Sequence, residues 1–165
     1  MGAMKLHQAS AEVIHVSTTL DCEPRQAFKF FTTNNFLESW LTNHAEVEPR
    51  IGGKYELFWN PNDREIDSTI GCKITSMVEP RSLGFTWKGP KEFKRFMNEV
   101  DPLTHVSVSF MPLSMAIPPQ TEIHLVHSGW RHSVEWQSAR DYFIRNWKVA
   151  FENLERKSWE LFGSI

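Results

Sequence analysis

From Ser133 to Leu161 the chain runs without a single Gly or Pro, and Phe143, Trp147, Ala150, Phe151, Leu154 and Leu161 recur there at helical spacing. This predicts one amphipathic helix of about 25 residues, about 40 Å long. A helix of that length with one apolar stripe must bury the stripe against a surface of similar extent. The rest of the chain has to supply that surface.

Most of it reads with period two. Glu12 to Leu20 alternates Ile14, Val16, Thr18 and Leu20 against Val13, His15, Ser17 and Thr19, which predicts a first strand. "DCEPRQAFKFFTT" then changes period: Pro24 suits a first helical turn, and Ala27, Phe28 and Phe31 form a stripe. "NNFLESWL" repeats the signal after an Asn cap with Phe36, Leu37, Trp40 and Leu41, so two short helices follow the strand. Strands return at Glu46 to Arg50 and, after the Gly52-Gly53 turn, in "KYELFW". "STIGCKITSM" groups Ile70, Cys72 and Ile74, and "LGFTW" groups Leu83, Phe85 and Trp87. "THVSVSFMPL" sets Val106, Val108 and Phe110 against His105, Ser107 and Ser109, and "TEIHLVHSGW" closes the series. "KEFKRFMNEV" between them fits either a helical excursion or an ordered loop.

Short connections between these strands require an antiparallel meander. One face of such a sheet is apolar, and only the C-terminal helix is long enough to cover it. The expected fold is therefore α+β: a curved antiparallel sheet wrapped around the long C-terminal helix, with two short helices after the first strand. At 165 residues this is one domain. "MGAM" reads as a cloning remnant with Met4 as the native start, leaving residues 5–165 as the domain.

A net charge of −2 gives no electrostatic reason to expect nucleic acid or an anionic membrane as partner. Lys88, Lys91, Lys94 and Arg95 cluster, but Glu92 and Glu99 interleave, which describes a solvated face. No apolar run reaches the roughly 18 residues of a membrane span, and no secretory signal precedes the first strand, so the expected location is cytoplasmic. Cys22 and Cys72 have no metal spacing and read as reduced structural thiols.

Several segments, in order, resemble those of the activator of Hsp90 ATPase homologue (AHSA1-like) branch of the START-like, or SRPBCC, helix-grip superfamily. "CEPRQAFKFFTT" with "FLESWL" resembles the family's first strand exit and helix pair, with Trp40 in its characteristic Trp place. "IGGKYEL" resembles its Gly-Gly turn, "VEPRSLGFTW" its Pro-containing turn and Trp-ended strand, and "TEIHLVHSGW" its last strand. "RNWKVAFENLERKSWELF" resembles the closing helix, with Trp147 in the usual Trp position. The chain departs from the pattern between Gly89 and Pro102, where it is longer, and at Asn146, where Gly is typical. The resemblance implies a cavity between sheet and helix, used across the superfamily for lipids, sterols, polyketides and other hydrophobic molecules.

Alternation places Tyr55, Leu57, Trp59, Phe85, Trp87, Val106, Val108, Phe110, Ile123 and Leu125 inward, with Tyr142, Phe143, Asn146, Trp147 and Phe151 opposite on the helix. Trp40 joins that set, and His127 shares the inward face at the end of its strand. These residues describe a small-molecule pocket and a filled aromatic core equally well: twelve Phe and seven Trp have to sit somewhere. Glu122 and His124 face outward, so His124 and His127 cannot chelate one metal. Asp63, Glu65 and Asp67 in "NPNDREID" lack the Gly and distal Glu of a calcium loop and read as a solvated hairpin. No cofactor or metal motif occurs, and no nucleophile has a base beside it.

Three functions follow from these readings. The first is binding of a small hydrophobic or aromatic ligand, with no cofactor. The second is an enzyme of the polyketide cyclase or dehydratase type, with His127 and Tyr55 or Tyr142 moving protons. The third is a chaperone-linked, Hsp90 ATPase activator-like interaction protein. A homodimer is compatible with each.

Overall fold

The structure, a computed structural model, describes residues 4–7 and 13–163. Of the sequence readings, the proposed remnant at residues 1–3 and the first strand residue Glu12 lie outside them.

The elements run in the order β1 (Lys5–His7), β2 (Ile14–Leu20), α1 (Pro24–Thr32), α2 (Asn34–Trp40), β3 (His44–Val47), β4 (Tyr55–Phe58), β5 (Ile74–Val78) and β6 (Ser82–Trp87). A 3-10 turn (Lys91–Phe93) and α3 (Lys94–Met97) come next, followed by β7 (Thr104–Pro112), β8 (Thr121–Ser128) and α4 (Val134–Phe162). Six strands form one antiparallel sheet in the order β1-β2-β8-β7-β6-β5. β3 and β4 form a separate ladder. The Lys54↔Lys73 bridge ties that ladder to the approach to β5.

The expected α+β helix-grip architecture is present, with differences at the sheet. The last strand, β8, pairs along its whole length with β2, so the N-terminal strand closes beside the C-terminal one. The ladder is also split, because the stretch expected to be a strand from Ser68 turns instead. Asp67 and Gly71 take positive φ values of 51° and 88°, and regular pairing begins only at Ile74. β1 carried no signal in its three residues.

Local chemistry explains the helices. Pro24 occupies the first turn of α1, and Gln26 Oε1 accepts from the Glu23 amide at 2.9 Å. Ser133 caps α4 by accepting from the Trp136 amide at 3.1 Å. The 29-residue α4 buries Trp136, Ala139, Phe143, Trp147, Ala150, Phe151 and Leu154 on one stripe. Across from the Leu154 end of that stripe, α1 inserts Phe28, Phe30 and Phe31. Phe31 packs edge-on to Trp40 (5.0 Å), Phe110 (5.4 Å) and Phe151 (6.4 Å). That cluster fills one half of the space under the sheet. Cys22 and Cys72 are free and buried, and burial pushes their thiols up to about 12 and about 11.

Candidate functional site

The other half of the interior is open. A cavity of about 380 Å³ lies between the middle of α4, the end of α2 and the ends of β4 and β6. Its aromatic wall is Trp40, Trp59, Trp87, Tyr142, Phe143 and Trp147. The Trp59 and Trp87 rings meet edge-on at 6.0 Å, and those of Trp87 and Trp147 lie 5.2 Å apart. Leu41, Val149 and Ala150 complete the apolar lining. Asp67, Ser68, Lys88, Gly89, Pro90, Glu92, Asn146 and Asn153 add polar groups and turn backbone.

Three of the four wall indoles are held by their N–H groups. Trp40 Nε1 donates to the Phe30 carbonyl at 2.9 Å, and Trp59 Nε1 to the Leu41 carbonyl at 2.9 Å. Trp147 Nε1 donates to His127 Nδ1 at 3.0 Å. The fourth differs: Trp87 is 3% exposed, and its buried Nε1 has no acceptor in the structure. A buried N–H without a partner costs about 1–3 kcal/mol.

His127 lies behind the wall and is fully buried. Its Nδ1 accepts from Trp147, so the ring proton sits on Nε2, 3.0 Å from Thr104 Oγ1. Burial, with a smaller contribution from His105, pushes its pKa down to about 3. The imidazole is a neutral clamp that sets the Trp147 ring. Its satisfaction comes from two side chains and not from the usual backbone carbonyl.

Not all of the expected wall is at the cavity. Trp40, Trp59, Trp87, Tyr142 and Trp147 line it, together with Phe143 and Asn146. Tyr55, Leu57, Phe85, Phe110 and Phe151 do not; they are packed into the solid half of the core, while His127 sits behind the wall against Trp87, Phe143 and Trp147. Tyr55 stacks on Phe85 at 3.8 Å, and its hydroxyl donates to the Phe31 carbonyl at 2.6 Å. Strand alternation finds the inward face but not how far along it the α1 phenylalanines reach. The cyclase arrangement is likewise not assembled, since His127 and Tyr55 lie away from the cavity that Tyr142 lines.

Two loops supply what alternation missed. Asp67, read from sequence as part of a solvated hairpin, turns into the mouth. The long Gly89–Pro102 stretch, neither pure helix nor pure loop, brings Gly89, Pro90 and Glu92 there. Asn98 fastens this stretch by accepting from the Gly89 amide at 2.7 Å and donating to its carbonyl at 3.2 Å. A side chain at Gly89 would come within 2.6 Å of Met97 Sδ, so a larger residue here would have to displace the buried Met97. The length departure between Gly89 and Pro102 was the one sequence signal for this mouth.

On the outer face His124 Nδ1 lies 2.8 Å from His15 Nε2, and its Nε2 lies 2.7 Å from Glu122 Oε1. His124 thus points away from His127, as period two requires. No helix is long and apolar enough to cross a membrane among the described residues.

Comparison with known proteins gives the following. Residues 21–157 match the model of the family described as Activator of Hsp90 ATPase homolog 1-like protein. No significant match is found among curated proteins. Among solved structures, a protein from Mesorhizobium loti is similar at 18% identity and a TM-score of 0.66, covering 87% of this chain and 94% of its own. An HSP90 activator from Plasmodium falciparum is similar at 21% identity and a TM-score of 0.67, covering 88% and 94%. The Aha1 dimer from Colwellia psychrerythraea is similar at 17% identity and a TM-score of 0.61, covering 87% and 92%.

Proposed function

Since the chain belongs to the activator of Hsp90 ATPase homolog 1-like family, whose fold sets a sheet around a helix, we propose that it binds a small hydrophobic or aromatic ligand between the two. The observation that carries this reading is a cavity of about 380 Å³ walled by four tryptophans. Small-molecule sites commonly enclose about 300–1,000 Å³ with apolar walls and a few placed polar groups. The ligand in this reading is an apolar or aromatic body that lies against the faces of Trp59, Trp87 and Trp147. The wall residues Trp40, Tyr142 and Phe143 complete its surroundings.

Native mass spectrometry of protein purified from its own host tests this. A co-purifying small molecule is expected, and it should be lost from Ala150→Phe, which fills the cavity from α4. An apo mass in both proteins speaks against the reading.

A second reading, a surface interaction of the Hsp90-activator kind, is favoured by the exposed apolar turn between β7 and β8. Met115 and Ile117 there are 94% and 96% exposed. A pull-down with Hsp90 and its ATPase rate in the presence of this chain decide that reading. Sedimentation velocity tests a homodimer, the state named for the Colwellia psychrerythraea structure.

A further inference from the structure

On the side of α1 the cavity ends at one ring. Trp40, the last residue of α2, lines the open space and also packs on the filled half of the core. Its ring lies edge-on to Phe31 at 5.0 Å and to Phe151 at 6.4 Å, and neither phenylalanine reaches the cavity. Trp40 is held in that position from behind: its Nε1 donates to the Phe30 carbonyl at 2.9 Å, and Phe30 is fully buried. The next carbonyl, that of Phe31, is fixed as well, because it accepts from the Tyr55 hydroxyl at 2.6 Å. This indole therefore stands between open space and solid core, with little freedom to move aside.

Resting on the ligand-binding reading above, we propose that Trp40 sets the size of the ligand: the site takes a compact molecule of one or two rings, and Trp40 is the stop that keeps out a four-ring or long-chain one. The volume agrees, since about 380 Å³ lies near the lower end of small-molecule sites, which span about 300–1,000 Å³. A longer molecule would need the space that Phe28, Phe31 and Phe151 occupy. Close-packed interiors make no such room without displacing side chains. The displaced rings would have nowhere to go, because Phe28 and Phe31 already pack edge-on to Phe110 at 5.2 and 5.4 Å.

Isothermal titration calorimetry of the full chain with 4-n-alkylphenols, from ethyl to nonyl, tests the stop. Each methylene that enters the cavity should tighten binding about fourfold, until the chain meets Trp40 and the affinity levels off. In Trp40→Leu, which shortens the stop and keeps an apolar side chain against Phe31 and Phe151, the rise should continue to longer chains. The nonyl-to-ethyl affinity ratio should then exceed that of wild type by about tenfold, the effect of roughly two more buried methylenes. Trp40→Ala should extend the rise further; the Leu variant keeps the test available if the Ala variant does not fold. Trp59→Leu, on the half-buried part of the wall, should weaken every phenol and leave the levelling length where it is. Affinity that climbs through nonyl in wild type, an unmoved levelling length in Trp40→Leu, or an equal shift in Trp59→Leu overturns the assignment to Trp40 and leaves the cavity reading standing. Binding of none of the phenols to wild type overturns both.

Discussion

Replacing His127 tests the account of the cavity wall most directly. The ring is fully buried, holds Trp147 Nε1 at 3.0 Å and reaches Thr104 Oγ1 at 3.0 Å. His127→Ala leaves a hole and orphans the indole N–H, and the Thr104 hydroxyl keeps only a long contact of 3.5 Å to the Trp87 carbonyl. Truncating a large buried side chain costs about 2–5 kcal/mol, and one orphaned buried donor adds about 1–3 kcal/mol. The sum, about 3–8 kcal/mol, is comparable with the whole stability of many domains, which is about 5–15 kcal/mol. His127→Asn keeps an acceptor where Nδ1 was and should cost less. The assay is urea unfolding at unchanged slope.

Its pH dependence separates electrostatics from packing. Burial pushes the folded His127 down to about 3, from 6.5 for a free histidine. The unfolded chain therefore binds more protons throughout that window, and stability conferred by the neutral ring is full above pH 6.5 and lost on acidification. Between pH 8 and pH 5 the loss amounts to about 2 kcal/mol. Wild type should lose that much more than His127→Asn over the same range. Other groups cancel in the difference. Parallel pH profiles for the two proteins, or an Ala variant within about 1 kcal/mol of wild type, would refute the reasoning.

Trp87→Phe removes a buried donor that has no partner, so stability in urea unfolding should stay within about 1 kcal/mol of wild type or rise. Phe31→Ala, at the centre of the filled half, should cost about 3–5 kcal/mol in urea unfolding. Glu46→Gln breaks the bidentate contact with Arg64, two bonds of 2.9 Å on the surface. Because the pair is solvent-exposed, the loss should stay below about 1 kcal/mol and shrink further in 1 M salt.

How much of this was legible in the chain differs by element. The Gly- and Pro-free run from Ser133 and the alternation in "THVSVSF" and "TEIHLVHS" are strong periodic signals, and α4, β7 and β8 appear where they predict. Their faces are right as well: Val106, Val108, Phe110, Ile123, Leu125 and His127 are all buried. β1 escaped because three residues carry no measurable period. The failed strand before Ile74 escaped because a positive φ at Asp67 is set by what the loop must reach and not by its own propensity.

The site divides along the same line. Residue order alone determined that a sheet would grip a C-terminal helix and that Trp59, Trp87, Tyr142 and Trp147 would face the space between them. This follows because side-chain direction is fixed by the period of the backbone. Only the tertiary structure decided that Phe28, Phe30 and Phe31 of α1 fill one half of that space, leaving Tyr55, Phe85, Phe110 and Phe151 in a solid core and a cavity in the other half. Only the fold, too, brought Asp67 and Glu92, 25 positions apart, to one rim. Periodicity reports which way a side chain points. What it points at depends on packing between elements distant in sequence, and no local pattern carries that information.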